Sequence, residues 1–314
     1  MVNVSEKAER ALQRIGIPGR DLYELPTSKK TFADGCHYRI EASGIERPEV
    51  LEALIEEMEE RAIPIHKLVG VCMGTTLLRR GELRRFAQLA AEAKIEVIVI
   101  PGPRPSWDIG AEIRTPEGSR TGFRHRGSDQ LNHYISDMFR CVEEGIRGFL
   151  VTDEGLMWAL NELRRTGDIP RDVKFKVSVW AGCANPAGAK VLEMLGADTF
   201  NPVGDLSLPM LASIRSVVAI PLDVYAYVFE SFGGFVRFWE TPEITRVAAP
   251  IYYKLEPGVS SGELYKPWTD VEKLAFLARE KVKYAEIIRE LVEKNYPDAK
   301  LSKQGASDLA IPRV

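Results

Sequence analysis

Cysteine and histidine are scarce, at four residues each in a chain of 314. Cys36, Cys72, Cys141 and Cys183 form no CxxC pair, so neither a zinc knuckle nor a local iron–sulfur motif is indicated, no iron–sulfur cluster is expected, and reduced, mostly buried thiols are. HExxH is missing and no Ser-His-Asp arrangement is readable, which sets aside two common hydrolytic designs. No run approaches the ~20 apolar residues that cross a bilayer, and residues 1–16 read as a charged helix without a signal-peptide core, so a cytoplasmic protein with no membrane partner is expected. A formal charge of -3 with pI near 6.0 leaves no broad basic surface, and no nucleic-acid partner is expected. No G-x-G-x-x-G fingerprint joins an early strand to its helix, which disfavours an open dinucleotide-binding sheet.

What is present is a repeating alternation. Hydrophobic residues at 45% and charged residues at 28% suit a globular chain with one large core. Short β-rich runs at 36–42, 66–74, 95–100, 147–152, 175–180, 198–201, 220–227 and 250–255 are each followed by apolar residues at helical spacing, the last in a long helix over about 270–295. Strands alternating with helices imply right-handed crossovers and a parallel sheet, and eight units is the number that closes a barrel. The expected fold is an α/β chain forming a single (β/α)8 TIM barrel over residues 31–299. An N-terminal helical extension, 1–30, is expected to plug the barrel bottom, and 300–314 to form a loosely held tail.

Strand side chains alternate between the helix layer and the interior, so the more apolar set should face the helices. On the first strand Tyr38 and Ile40 then face out while Arg39 and Glu41 face in. On the fifth, Val177 and Val179 face out and Lys176, Ser178 and Trp180 face in. On the seventh, Leu222 and Val224 face out and Asp223, Tyr225 and Tyr227 face in, and Lys254 points inward on the eighth. Unpaired charges in such an interior cost several kcal/mol each, roughly, so these groups must pair with one another or meet a ligand. Catalytic candidates are Glu41, Asp223, Lys254 and Lys176, with Asp153 and Glu154 just beyond the fourth strand. Oxygen donors among them, Glu41, Glu154 and Asp223, together with Asp205, suit a divalent metal such as Mg²⁺ or Mn²⁺.

The loops at the same face add binding candidates. The longest, 101–128, carries five arginines, of which Arg104 lies nearest the strand end beside Trp107, and arginine suits bidentate recognition of carboxylate or phosphate. His125, in the same loop, is the best placed of the histidines. Gly233 and Gly234 follow the seventh strand, where many barrels hold phosphate through backbone N–H groups, although the pair also suits a turn. Trp180, Asn185, Asn201, Tyr225 and inward Arg39 complete the substrate-binding set.

At Gly155-Leu156, Lys176-Val177-Ser178-Val179, Ala184-Asn185-Pro186, Gly196-Ala197-Asp198-Thr199 and Asp205-Leu206-Ser207-Leu208 the chain resembles the collagenase-like peptidase family over most of the barrel. The resemblance implies the barrel fold and a hydrolase activity. It transfers no catalytic residue, and the cysteine cluster of the core members has no counterpart after Cys183.

Three functions are therefore expected to compete. One is an enzyme, of the hydrolase type, acting on a small anionic substrate at the C-terminal face, with the carboxylates as acid, base or metal ligand. Another is a lyase or aldolase forming a Schiff base on Lys254 or Lys176. The third is a non-catalytic ligand-binding or assembly barrel, for which the apolar run 229–239 would serve as contact; a homo-oligomer is compatible with any of them.

Overall fold

A computed structural model describes residues 4–72, 77–102 and 123–314. An N-terminal helix α1 (Val4–Arg14) precedes the alternation β1 (Tyr38–Ile45), α2 (Pro48–Arg61), β2 (Lys67–Cys72), α3 (Arg80–Glu92), β3 (Glu96–Ile100), α4 (Gly127–Glu143), β4 (Gly148–Val151) and α5 (Glu154–Thr166). It continues through β5 (Lys174–Val177), α6 (Pro186–Met194), β6 (Thr199–Phe200), α7 (Leu208–Val217), β7 (Leu222–Tyr227), α8 (Thr241–Ala248) and β8 (Ile251–Leu255), then a short α9 (Ser261–Leu264) and the long α10 (Val271–Asn295). The eight strands are parallel and close on themselves, β8 pairing with β1 from Tyr38–Ile251 to Ala42–Leu255. This is a (β/α)8 barrel. No helix among the described residues is long and apolar enough to cross a membrane.

Local chemistry starts the helices where the sequence places them. Asp153 accepts the Leu156 N–H at 2.9 Å and Asn185 the Gly188 N–H at 2.9 Å, each capping a helix start, and prolines sit in the first turns of α2, α6, α7 and α8. The main apolar core lies between strands and helices and takes Tyr38, Ile40, Val177, Leu222 and Val224 from the outward set, joined by Val97 and Val99 of β3. A second apolar cluster, including Val69, Ile98, Ile100, Leu150 and Tyr225, lies inside the barrel towards the C-terminal strand ends.

Alternation fails at one inward assignment, Tyr227, and one outward, Val179. A register shift between Tyr225 and Tyr227 turns Tyr227 towards the helix layer, where its ring meets Tyr284 at 5.4 Å and Phe238 at 6.3 Å. Strand β5 ends at Val177 and the chain passes into a 3₁₀ turn over Val179–Ala181, so Val179 joins the interior cluster instead of the helix layer.

The bottom of the barrel is closed by residues 300–310, which the sequence suggested as a loose tail, together with 28–36. Arg39, 1% exposed, donates to both carboxylate oxygens of Asp308 at 3.0 and 2.7 Å and to Ser302 Oγ at 2.9 Å, and its guanidinium lies 3.9 Å from the Phe32 ring centroid. The Ala310 N–H donates to Glu96 at 2.9 Å, and His66 Nε2 lies 2.9 Å from the Ser302 carbonyl. The segment is ordered because the interior charges Arg39 and Glu96 find partners there. Helix α1 is mostly exposed and makes no such closure.

Candidate active site

Inside the barrel the charged side chains form a ladder. Lys67 Nζ lies 3.0 Å from Asp223 Oδ1, 3.7 Å from Glu96 and 3.8 Å from Glu41, and it stands 3.4 Å from the centroid of the Tyr252 ring. Lys176 bonds Glu41 directly and lies 3.1 Å from Asp223 Oδ2, which also accepts from Thr199 Oγ1 at 2.8 Å. Asn201 Nδ2 donates to the Asp223 carbonyl at 2.6 Å. Glu41, Lys67 and Asp223 have no exposed surface.

Three of the expected catalytic residues, Glu41, Lys176 and Asp223, lie in this ladder. Burial opposes ionisation of Asp223, but the adjoining Lys176 and Lys67 outweigh it and hold the carboxyl below its usual range. Burial likewise holds Lys176 below the usual lysine range, with Lys67 and Lys254 adding to it and Asp223 and Glu41 opposing. Glu41, Lys176 and Asp223 thus spend their bonding capacity on each other beneath the cleft, as a closed ion-pair network. Arg39 belongs to the barrel floor and Asn201 to the network's support.

Above the ladder, at the C-terminal ends of the strands, lies a narrow cleft. Its floor is Lys254 and Glu256, its walls are mostly aromatic, and Ser178, Thr152 and His125 supply further polar groups. Trp180 stands between Phe123 and Phe232, with ring centroids at 5.2 and 4.8 Å. Lys254 Nζ reaches Glu41 only at 3.8 Å and Glu256 only at 3.7 Å, longer than a hydrogen bond, and lies 4.9 Å from the Tyr225 ring centroid. Burial would lower this lysine, but Glu256, Tyr225 and Glu41 outweigh it and keep it an ammonium, above the usual range. Glu256 follows β8; its Oε1 accepts from Tyr265 O–H, while its buried Oε2 has no hydrogen-bond partner. Burial raises this carboxyl above its usual range against the opposing pull of Lys254.

Of the expected site residues, Lys254, Trp180 and Tyr225 meet in the cleft. Asp153 is committed to the α5 cap and to the His125 N–H at 3.1 Å, and Glu154 pairs with Arg124 at 3.2 Å on the outer surface. Asn185 caps α6, and Asp205 is exposed in a turn. Gly233 and Gly234, with φ of 107° and 59°, form a turn whose N–H groups bond Glu230 and Phe229 carbonyls at 3.0 and 3.2 Å, so they are not offered to a phosphate. Arg104 and Trp107 lie outside the described residues. For the metal candidates Glu41, Glu154, Asp205 and Asp223, no group of three or more His, Cys, Asp or Glu among the described residues is arranged to hold an ion.

Glu256 and Tyr265, absent from the expected set, complete the cleft floor. Lys67 and Glu96 complete the ladder, and the alternation rule would have found both: Leu68 and Val97 beside them face the helix layer.

No family model and no curated protein sequence matches this chain. Solved structures similar to it include the YdjI aldolase from Escherichia coli K12, at 12% identity over 84% of this chain and 94% of that one, with a TM-score of 0.48. A U32 peptidase is similar at 16% identity over 75% of this chain and 98% of that one, TM-score 0.44. D-psicose 3-epimerase from Clostridium cellulolyticum H10 is similar at 11% identity over 81% of this chain and 99% of that one, TM-score 0.46.

Proposed function

We propose that this barrel is an enzyme that binds a small anionic substrate over Lys254 and performs acid–base chemistry on it, of the lyase or hydrolase kind, with Glu256 moving the proton. The observation that carries the reading is the Lys254 ammonium, held charged at the cleft floor yet reaching its two carboxylates only at 3.7–3.8 Å. A substrate oxygen placed there gains a charge-assisted hydrogen bond of the kind that the two carboxylates, at 3.7–3.8 Å, do not make, and a charge developing on that oxygen during reaction is stabilised further. Glu256, with one oxygen tied to Tyr265 and the other unpartnered, is fixed beside it, and a carboxyl raised by burial suits proton transfer nearer neutral pH. The aromatic walls favour a substrate with a planar or apolar body. A Schiff base on Lys254 would require the amine form, which its anionic neighbours oppose, and Lys176 lies beneath the floor; the fixed-cation role is therefore preferred to the covalent one.

Calorimetric titration with oxalate and with inorganic phosphate tests the reading. Binding of at least one anion is expected, weakened about tenfold or more in Lys254→Met, the loss of one charge-assisted bond. Glu256→Gln should bind more tightly, because the competing carboxylate charge is gone. Equal binding in Lys254→Met and the parent, or none of either anion to the parent, would overturn it.

A further inference from the structure

The aromatic rings of the cleft wall are joined through one further ring. Trp180, Phe229 and Tyr225 line the cleft, and Phe232 stands against all three, with centroids 4.8 Å from Trp180, 5.8 Å from Phe229 and 6.4 Å from Tyr225. Phe232 is stacked on Phe229 and edge-on to Tyr225. The Lys254 ammonium lies 4.9 Å from the Tyr225 ring, so cation and rings form one continuous strip. Rings held by their neighbours have little side-chain freedom left to lose when a ligand lies against them. Trp180 is only half-buried and keeps ring surface for such a ligand.

The polar groups beside the strip are few and partly committed. The Tyr134 O–H donates to the Leu150 carbonyl at 2.6 Å, the Tyr265 O–H donates to Glu256, and Ser178 Oγ accepts the Trp180 N–H at 3.3 Å. A polyol, with a hydroxyl on most of its carbons, would leave many of them unpaired against aromatic carbon. A flat ring has no such cost, fits a narrow space, and gains offset or edge contacts with the wall. The head group is similarly constrained. Lys254 is one ammonium beside the Glu256 carboxylate, no arginine is among the described residues that line the cleft, and the Gly233 and Gly234 N–H groups are used in their own turn. A phosphate dianion is ordinarily held by several donors, whereas a single carboxylate suits a single ammonium.

We propose that the substrate of this cleft is an aromatic monocarboxylate, its carboxylate on Lys254 and its flat ring along the wall of Phe229 and Trp180. The inference rests on the reading of Lys254 as the cation that holds an anion, and it adds the body that the head group carries.

Calorimetric titration of the full chain with acetate, cyclohexanecarboxylate, benzoate and 2-naphthoate tests it near neutral pH, where all four are monoanions. Benzoate and 2-naphthoate are expected to bind about tenfold or more tighter than acetate. Benzoate should also exceed cyclohexanecarboxylate, which has the same carbon skeleton but is not flat, by roughly threefold or more. In Trp180→Leu the ratio of 2-naphthoate to acetate affinity should fall by about tenfold; a merely structural tryptophan would weaken every acid alike and leave that ratio in place. If Trp180→Leu fails to fold, the benzoate and cyclohexanecarboxylate comparison on the parent decides. Equal binding of those two acids, or a ratio that Trp180→Leu leaves unchanged, would overturn the proposal. Oxalate bound with no gain from a ring overturns it while the anion reading stands, and a parent that binds no anion at all overturns both.

Discussion

Asp223 Oδ1 accepts a hydrogen bond from Lys67 Nζ at 3.0 Å, and neither side chain has any exposed surface. With Lys176 on the other carboxylate oxygen, Asp223 is the anion common to two buried cations. Its role is to hold strands β2, β5 and β7 together across the barrel axis.

Asp223→Asn should therefore destabilise the protein by about 3–5 kcal/mol, because two ammonium groups lose their shared partner in a dry interior. Urea unfolding followed by circular dichroism reads the change. A variant as stable as its parent that has lost oxalate binding would move Asp223 back into the reactive site.

Arg39→Met should cost about 2–3 kcal/mol, reduced from the fully buried case because Asp308 is a third exposed. Asp308→Asn should cost less, and the double variant less than the sum, as a double-mutant cycle would show. Anion binding at the cleft should not change. Strict additivity would mean that the two side chains do not support one another.

His66 supplies a pH dependence with a defined sign. Its Nδ1 accepts the Ile40 N–H at 3.1 Å, so Nε2 carries the proton and donates to the Ser302 carbonyl. Burial lowers the imidazole to about 4, below the ~6.5 of an unfolded chain, so the unfolded state binds the proton first. The contribution is whole above pH ~6.5 and lost as pH falls towards 4, by about 3 kcal/mol. Urea midpoints across this window, parent minus His66→Gln, should isolate the term from the carboxylates. A difference that stays flat with pH would contradict it.

Much of this was legible in the chain. Eight β-rich runs with helical intervals close the barrel in the expected order, since parallel strands need a crossover helix and the apolar spacing shows both. Period-two alternation placed Arg39, Glu41, Lys176, Asp223 and Lys254 in the interior. It failed at Tyr227 and Val179, where a bulge and a 3₁₀ turn break the period. Alternation also says nothing of height along the axis. It could not separate Lys254, at the cleft, from Lys176, beneath it, or show that Asp153 and Asn185 were needed as helix caps. Glu256 lay just past its strand, beyond the reach of the alternation.

The Arg39–Asp308 contact joins positions 269 residues apart, and the Leu301 bridge to Tyr38 lies beside it. The barrel floor is thus a loop closed over most of the polypeptide. Loop-closure entropy has to be met before such a contact returns any stabilisation, and folding slows as contacts become less local. Assembly of the floor is accordingly a late event in folding, after the neighbouring βα units have formed. Until then, Arg39 and Glu96 stay solvated at an open barrel end.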